Sequence, residues 1–438
     1  MRRKIEANVR EWLDSFDGRP LLIKGARRVG KTYIARNYLS SLLGEGHVVY
    51  LDFQTDVAGL EALFSGRTEV SRIVGDLELY FGRSIDAASD VLVFDEVQLC
   101  EKALNALRFF AQSPYRVLAT GSLLGVTLSK YKQEGSRLPY PSDVIHIDMH
   151  PMDFEEFLWA TGRASMTDGI RRCYAEARPF PLHDEALDIY LQYLVIGGMP
   201  RAVSEFVGKG DMVRVRQAQS EIDQTYMADM PQSQAALCRS IWNSVPGQLA
   251  RESTRKFKYA DVVKGGRANR FEEPLDWLES AGVVNVNRQT NSTSLPIIAR
   301  DGGAFFKVYM ADTGLLYYKM GLAPNLLFSK ETYRALSSGF RGALAENYVM
   351  QQLVANGVTT HYWTPGDSYG EIEFVCASVD GSLVPIEVKS GENVKSKTLR
   401  EFMKSNGAPL GIRISGRQFG KEGALLSVPL YAAFCVQP

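Results

Sequence analysis

Twelve residues near the amino end have the types and spacing to grip a phosphate group. An apolar run, Leu21-Leu22-Ile23, leads into Gly25, and after four more residues come Gly30, Lys31 and Thr32. This is the pattern GxxxxGK[ST]. Its glycines let the backbone curl so that successive N–H groups point inward as an anion nest. A helix starting at Thr32 would add the partial positive charge of its amino end. The expected nucleotide-binding residues are Gly25, Ala26, Arg27, Arg28, Val29, Gly30, Lys31, Thr32 and Tyr33. Lys31 is expected to reach the β- and γ-phosphates, and the Thr32 hydroxyl to sit on Mg²⁺.

A second constellation follows the apolar run Val91 to Phe94, which ends in Asp95-Glu96-Val97-Gln98. Two acids at a strand end are common, but these stand downstream of a phosphate-binding loop, where they match a Walker B. Asp95 is expected to hold Mg²⁺ directly or through a water. Glu96 is expected to orient or deprotonate the attacking water. After a further apolar run come Thr120, Gly121 and Ser122. A polar side chain here, Thr120 above all, would hold that water or sense the γ-phosphate. Helix capping is the other reading, and Ser122 before Leu123-Leu124 suits it.

Elements must bring these residues together. Strand candidates recur at Leu21 to Lys24, Val48 to Phe53, Val91 to Phe94, Arg116 to Thr120 and Val144 to Met149, separated by helical patterns such as Thr32 to Leu43. That alternation predicts an α/β fold with a parallel sheet and helices on both faces. Such sheets bind ligands at the carboxyl ends of their strands.

The chain has 438 residues, enough for about three domains. It is 45% apolar and 23% charged, the composition of a soluble globular protein. Formal net charge is zero, so nucleic-acid contact would need a local basic patch. Five scattered cysteines form no CxxC, which argues against a structural zinc or a disulfide framework and fits a reducing cytosol. Met1 to Trp12 lacks the apolar run of a secretory signal. Leu187 to Pro200 is too short and too polar to span a membrane. The expected location is cytoplasmic.

Gly25 to Thr32, Val93 to Gln98 and Ala119 to Ser122 resemble the AAA-type ATPases of bacteria and archaea, in which the ATPase is joined to a C-terminal domain of unknown function. Met149 to Leu158 is similar to that family's link out of the ATPase core. Arg28 departs from the Gln of many relatives. The resemblance implies ATP and Mg²⁺ as cofactors and an AAA-type P-loop ATPase domain over residues 1–160, and it leaves an oligomer open. Arg137 is the candidate arginine finger within the segment; a plain surface arginine is the alternative.

Residues 165–330 are expected to form a helical, winged-helix-like region. Ile196-Gly197-Gly198-Met199-Pro200 reads as an elbow between two helices. Ile241 to Leu249, Lys258 to Val263 and Arg267 to Ser280 read as three helices before a strand, Val283 to Asn287. Between Arg251 and Arg270 lie seven cations: Arg251, Arg255, Lys256, Lys258, Lys264, Arg267 and Arg270. They would lie on DNA phosphates, or form a solvated or docking face. Asp312 reads as a helix cap.

Residues 335–438 resemble a small PD-(D/E)XK nuclease-like α/β domain. The resemblance implies a site of Glu346, Glu373, Glu387 and Lys389, with acids on Mg²⁺ and the lysine supporting an attacking water. Glu373 stands where that fold more often has Asp. A plain Glu387–Lys389 ion pair is the alternative, since side chains two apart share a strand face. His361-Tyr362-Trp363 reads as core packing or a base-stacking run.

Taken together, the expected function is a Mg-dependent, ATP-binding and hydrolysing AAA-type ATPase acting on or with DNA. The alternatives are an ATP-gated nuclease using the last segment and a nucleotide-switched DNA-binding regulator with little turnover.

Overall fold

The computed structural model describes all residues except 67–68, 123–142, 252–254, 265, 301–303, 366–369 and 393–395. Arg137 lies outside the described residues. The chain forms two compact units. One is Arg2–His150 with Ser280–Gly282, and the other Pro151–Glu279 with Val283–Pro438.

The first unit is built on strands β1 (Leu21–Lys24), β2 (Val48–Asp52), β3 (Val91–Asp95), β4 (Arg116–Gly121) and β5 (Ile145–Asp148). Their order is β2-β3-β4-β1-β5, and every pairing is parallel. Leu22, Leu51, Phe94 and Val117 pack one face against Phe64, Leu77, Leu107 and Phe110 of three helices. The alternate residues Leu21, Ile23, Val93 and Leu118 are buried too, so both faces are covered. Each large side chain removed from water here stabilises the fold by roughly 1.5–3 kcal/mol. Strand order sets β1 beside β4, and β4 beside β3. The carboxyl ends that carry the loop, the acid pair and Thr120 therefore lie side by side.

The expected α-helix Thr32 to Leu43 differs in winding. Tyr33–Tyr38 is a π-helix, followed by an α-helical turn, Leu39–Leu43. The Leu39 N–H reaches back to the Ile34 carbonyl, the i→i−5 bond of the wider turn.

The second unit is a helical body around a mixed eight-stranded sheet. Its strands are β6 (Val284–Thr290), β7 (Phe306–Met310), β8 (His361–Trp363), β9 (Ile372–Ala377), β10 (Leu383–Val388), β11 (Gly411–Ser415), β12 (Gly420–Glu422) and β13 (Leu425–Pro429). They are ordered β12-β13-β11-β10-β9-β8-β6-β7. The sequence divided 165–330 from 335–438, but this sheet crosses the division, because β6 pairs with β8. Buried polar residues on β6 secure the crossing. Asn287 donates to the Glu373 carbonyl at 3.1 Å, and the Tyr362 hydroxyl donates to Gln289 at 3.1 Å. The β6–β7 hairpin is therefore an edge of a larger sheet, where a winged helix would have a free wing. A 3₁₀ turn, Tyr259–Asp261, stands where a helix over Lys258 to Val263 was expected.

The elbow forms between helices His183–Ile196 and Pro200–Lys209. A Cβ on Gly198 would lie 1.9 Å from the Met152 carbonyl oxygen, so only glycine fits. Asp312 receives the Gly198 N–H at 2.6 Å and caps its own helix through the Leu315 N–H at 2.9 Å.

Candidate functional site

The phosphate-binding loop is curled as its glycines allow. Gly25, Arg28 and Gly30 all have positive φ, at +151°, +68° and +106°. A Cβ on Gly25 would stand 2.1 Å from the Met149 carbonyl oxygen. Arg28 carries the one non-glycine side chain that takes this strained conformation within the loop. Ala26 and Val29 are buried and anchor the loop, whereas Tyr33 is 44% exposed.

Lys31 is buried, and its ammonium donates to the carbonyls of Gly25 and Ala26 at 2.9 Å each. Burial pushes its pKa down to about 8, against the pull of Glu96 and Asp95. An ammonium held this way is poised to exchange carbonyls for a phosphate.

Asp95 gathers three hydroxyls. Thr32 donates to its Oδ2 at 3.0 Å, Tyr50 donates to the same oxygen, and Thr120 donates to Oδ1. Thr120 also accepts the Glu96 N–H at 3.1 Å. Burial and the Asp95 carboxylate push the Tyr50 phenol far up, so Tyr50 stays a donor. Arg36 lies over the Tyr50 ring, 5.3 Å from its centre.

Glu96 sits in the left-handed region, φ +55° and ψ +45°, which costs a non-glycine residue on the order of 1 kcal/mol. Its carboxylate accepts from the Ser122 hydroxyl at 2.8 Å, the Ser122 N–H at 3.3 Å and the Gln98 amide at 2.5 Å. Burial raises the Glu96 pKa, but Lys31, Gln98 and Ser122 together hold it below the usual carboxylate range.

Loop, acid pair and Thr120 therefore meet at one place. Sequence reasoning missed Tyr50 and Gln98, and underrated Ser122. Gln98 belongs to the run Asp95-Glu96-Val97-Gln98, two residues from the acid it binds. Tyr50 had no local signal beyond its place on a strand that pairs with β3.

The last segment's charged residues form a different kind of cluster. Glu346 accepts from Tyr309 at 3.1 Å, from Lys307 at 3.4 Å and from Arg255. Burial would raise its pKa, but Lys307 and Arg255 hold it low. Lys389 lies 3.1 Å from Glu373 and 3.4 Å from Glu387, so the ion-pair alternative forms, with Glu373 as a second partner. Burial pushes Glu373 up, and Lys389 opposes it. Among the described residues, no group of three His, Cys, Asp or Glu side chains gathers to hold a metal. Tyr362 is buried, as core packing requires. All five cysteines are buried, and none of them forms a disulfide. Among the described residues, no helix is long and apolar enough to cross a membrane.

Residues 17–158 match the family described as AAA domain. Residues 187–326 and 341–431 match two domains of unknown function, DUF8612 and DUF4143. No curated protein matches the chain. Among solved structures, the chain is similar to the Walker-type ATPase of Pyrococcus abyssi, at 14% identity and a TM-score of 0.44, over 73% of this chain and 95% of that one. It is also similar to the ORC2 protein of Aeropyrum pernix in its ADPNP–ADP complexes, at 16% identity and a TM-score of 0.37, over 75% and 91%. The family match, together with a GxxxxGK[ST] loop on a parallel five-stranded sheet, identifies residues 17–158 as an AAA-type P-loop ATPase domain.

Proposed function

We propose that the protein binds and hydrolyses ATP with Mg²⁺, using Lys31, Thr32, Asp95, Glu96 and Thr120. The observation that carries this reading is the Thr32 hydroxyl at 3.0 Å from the Asp95 carboxylate, beside the buried Lys31. Hydroxyl and carboxylate oxygens are hard donors and fit Mg²⁺. Thr32 and Asp95 would hold the ion, which when bound neutralises charge on the β- and γ-phosphates. Lys31 leaves the Gly25 and Ala26 carbonyls for the phosphates. Glu96, kept ionised, accepts a proton from the attacking water or orients it. Thr120 holds the Asp95 carboxylate and the Glu96 backbone in register. Phosphate release from ATP, measured with Lys31→Ala and Glu96→Gln variants, tests the reading. Turnover that survives Lys31→Ala overturns it.

Action on DNA is a second reading, favoured by Lys258, Lys264, Arg267 and Arg270. All four are exposed, and none makes an ion pair among the described residues. Arg251 and Arg255 are engaged instead by Asp261 and Glu346. Gel shifts with duplex and single strands at low salt test this, with binding expected to weaken as salt rises. The ATP-gated nuclease alternative draws on the approach of Lys389 to Glu373 and Glu387. The capture of Glu346 by Arg255 and Lys307 counts against it.

A further inference from the structure

A cavity of about 530 Å³ opens in the second unit, beside the carboxyl end of β10. That is the size of pocket that takes small organic ligands. Leu187, Leu191 and Leu430 give it an apolar wall, with the rings of Tyr190 and Tyr333. Four cations line it, Lys330, Arg334, Arg341 and Lys389, against one lining carboxylate, Glu392.

Three of these cations have partners. Lys330 pairs with Asp184 at 3.0 Å and Asp188 at 3.4 Å, Arg334 with Glu392 at 3.1 Å, and Lys389 with Glu373 and Glu387. Arg341 differs. Its guanidinium makes no ion pair or hydrogen bond among the described residues, and its Nε is buried without a partner. It lies over the Tyr333 ring, 5.9 Å from the centre.

A second, independent group is also unsatisfied. The Tyr190 side chain is 1% exposed, lines the same cavity, and its hydroxyl has no hydrogen-bond partner. A buried polar group left unpaired costs about 1–3 kcal/mol, so such groups are rare and call for an explanation. Here a tyrosine with an unsatisfied hydroxyl and a donor-only guanidinium with no carboxylate partner among the described residues both belong to the lining of one cavity.

We propose that this cavity binds a phosphate monoester carrying a planar or apolar body, as in a nucleoside monophosphate. The phosphate would take Arg341, a geometry the guanidinium fork matches, and the body would lie against the leucines and Tyr333. The proposal rests neither on the ATPase loop nor on cleavage by the last segment. The same chemistry occurs in a free nucleotide and in the 5′-phosphate end of a nucleic-acid strand.

The test uses the full chain carrying Lys31→Ala, which disables the loop in the first unit. Titration calorimetry follows AMP, adenosine, and an oligonucleotide with and without its 5′-phosphate. AMP or the phosphorylated strand is expected to bind, with the tighter of the two naming the source, and adenosine and the unphosphorylated strand to bind at least about tenfold more weakly. Arg341→Gln should weaken binding by roughly tenfold or more, the loss expected of a charged hydrogen bond. Tyr190→Phe removes one oxygen from a packed ring, keeps the fold intact, and should weaken binding about fivefold. Absence of binding by AMP and by the phosphorylated strand at about 1 mM, a typical upper range for small-molecule sites, overturns the proposal. So does binding indifferent to both substitutions.

Discussion

The Thr32 hydroxyl donates to the Asp95 carboxylate at 3.0 Å, although 63 residues separate them in the chain. One belongs to the phosphate loop and the other to the end of β3, two strands away from β1 in the sheet. Their meeting brings two short motifs, far apart in the chain, to one place.

Lys31 gives that site a pH dependence. Its pKa in the free chain is lowered to about 8, and a bound phosphate would raise it again. Below pH 8 the ammonium is already charged and affinity should be flat. Above pH 8, binding must take up a proton, so affinity should fall by as much as about tenfold per pH unit. Nucleotide titrations between pH 6.5 and 9.5, roughly spanning that value, measure it. A flat profile throughout would mean that Lys31 does not titrate in this range.

Glu96→Gln should cut hydrolysis by about 10²–10⁴-fold while nucleotide binding persists. Ser122→Ala is subtler. It removes a hydrogen bond that holds the Glu96 carboxyl low, so that pKa should rise. The base is active only when ionised, and the acid limb of the hydrolysis profile should therefore move to higher pH. An unmoved limb would show that Ser122 does not tune Glu96.

In the second unit, Glu346→Gln would strip Lys307 and Arg255 of their shared carboxylate. Lys307 has no exposed side-chain surface but keeps Glu371 as a partner, so the loss should cost about 1–3 kcal/mol. Because the folded Glu346 pKa lies below its ordinary 4.5, its contribution is present above that pH and is lost as the medium turns more acid. Urea unfolding of wild type and variant near neutral pH and below 4.5 checks both statements. Equal midpoints near neutral pH would refute the first.

The elbow should tolerate no side chain. With a Cβ 1.9 Å from the Met152 oxygen, Gly198→Ala should destabilise the second unit by ~3 kcal/mol or more. Thermal unfolding would read this as a lower midpoint, whereas an unchanged midpoint would mean the chain yields there at little cost.

The sequence by itself determined the phosphate loop, the acid pair and the strands that bear them. Those signals are local: glycines needed at positive φ, a lysine and hydroxyl beside them, and apolar runs that can only be buried strands. Even β1 was legible to its last residue, Leu21 to Lys24. What tertiary structure decided was long-range. Tyr50 reaches Asp95 only because β2 pairs with β3, and no local pattern encodes such a pairing. The strand read at Val283 to Asn287 resembles the β element of a winged helix, yet it joins a larger sheet through Asn287 and Gln289, whose partners lie over 70 residues away. Glu346 looked like a metal ligand, but Arg255 and Lys307 arrive from other elements and hold it. Charge compensation in a buried cluster depends on which elements meet there, and that is settled by packing.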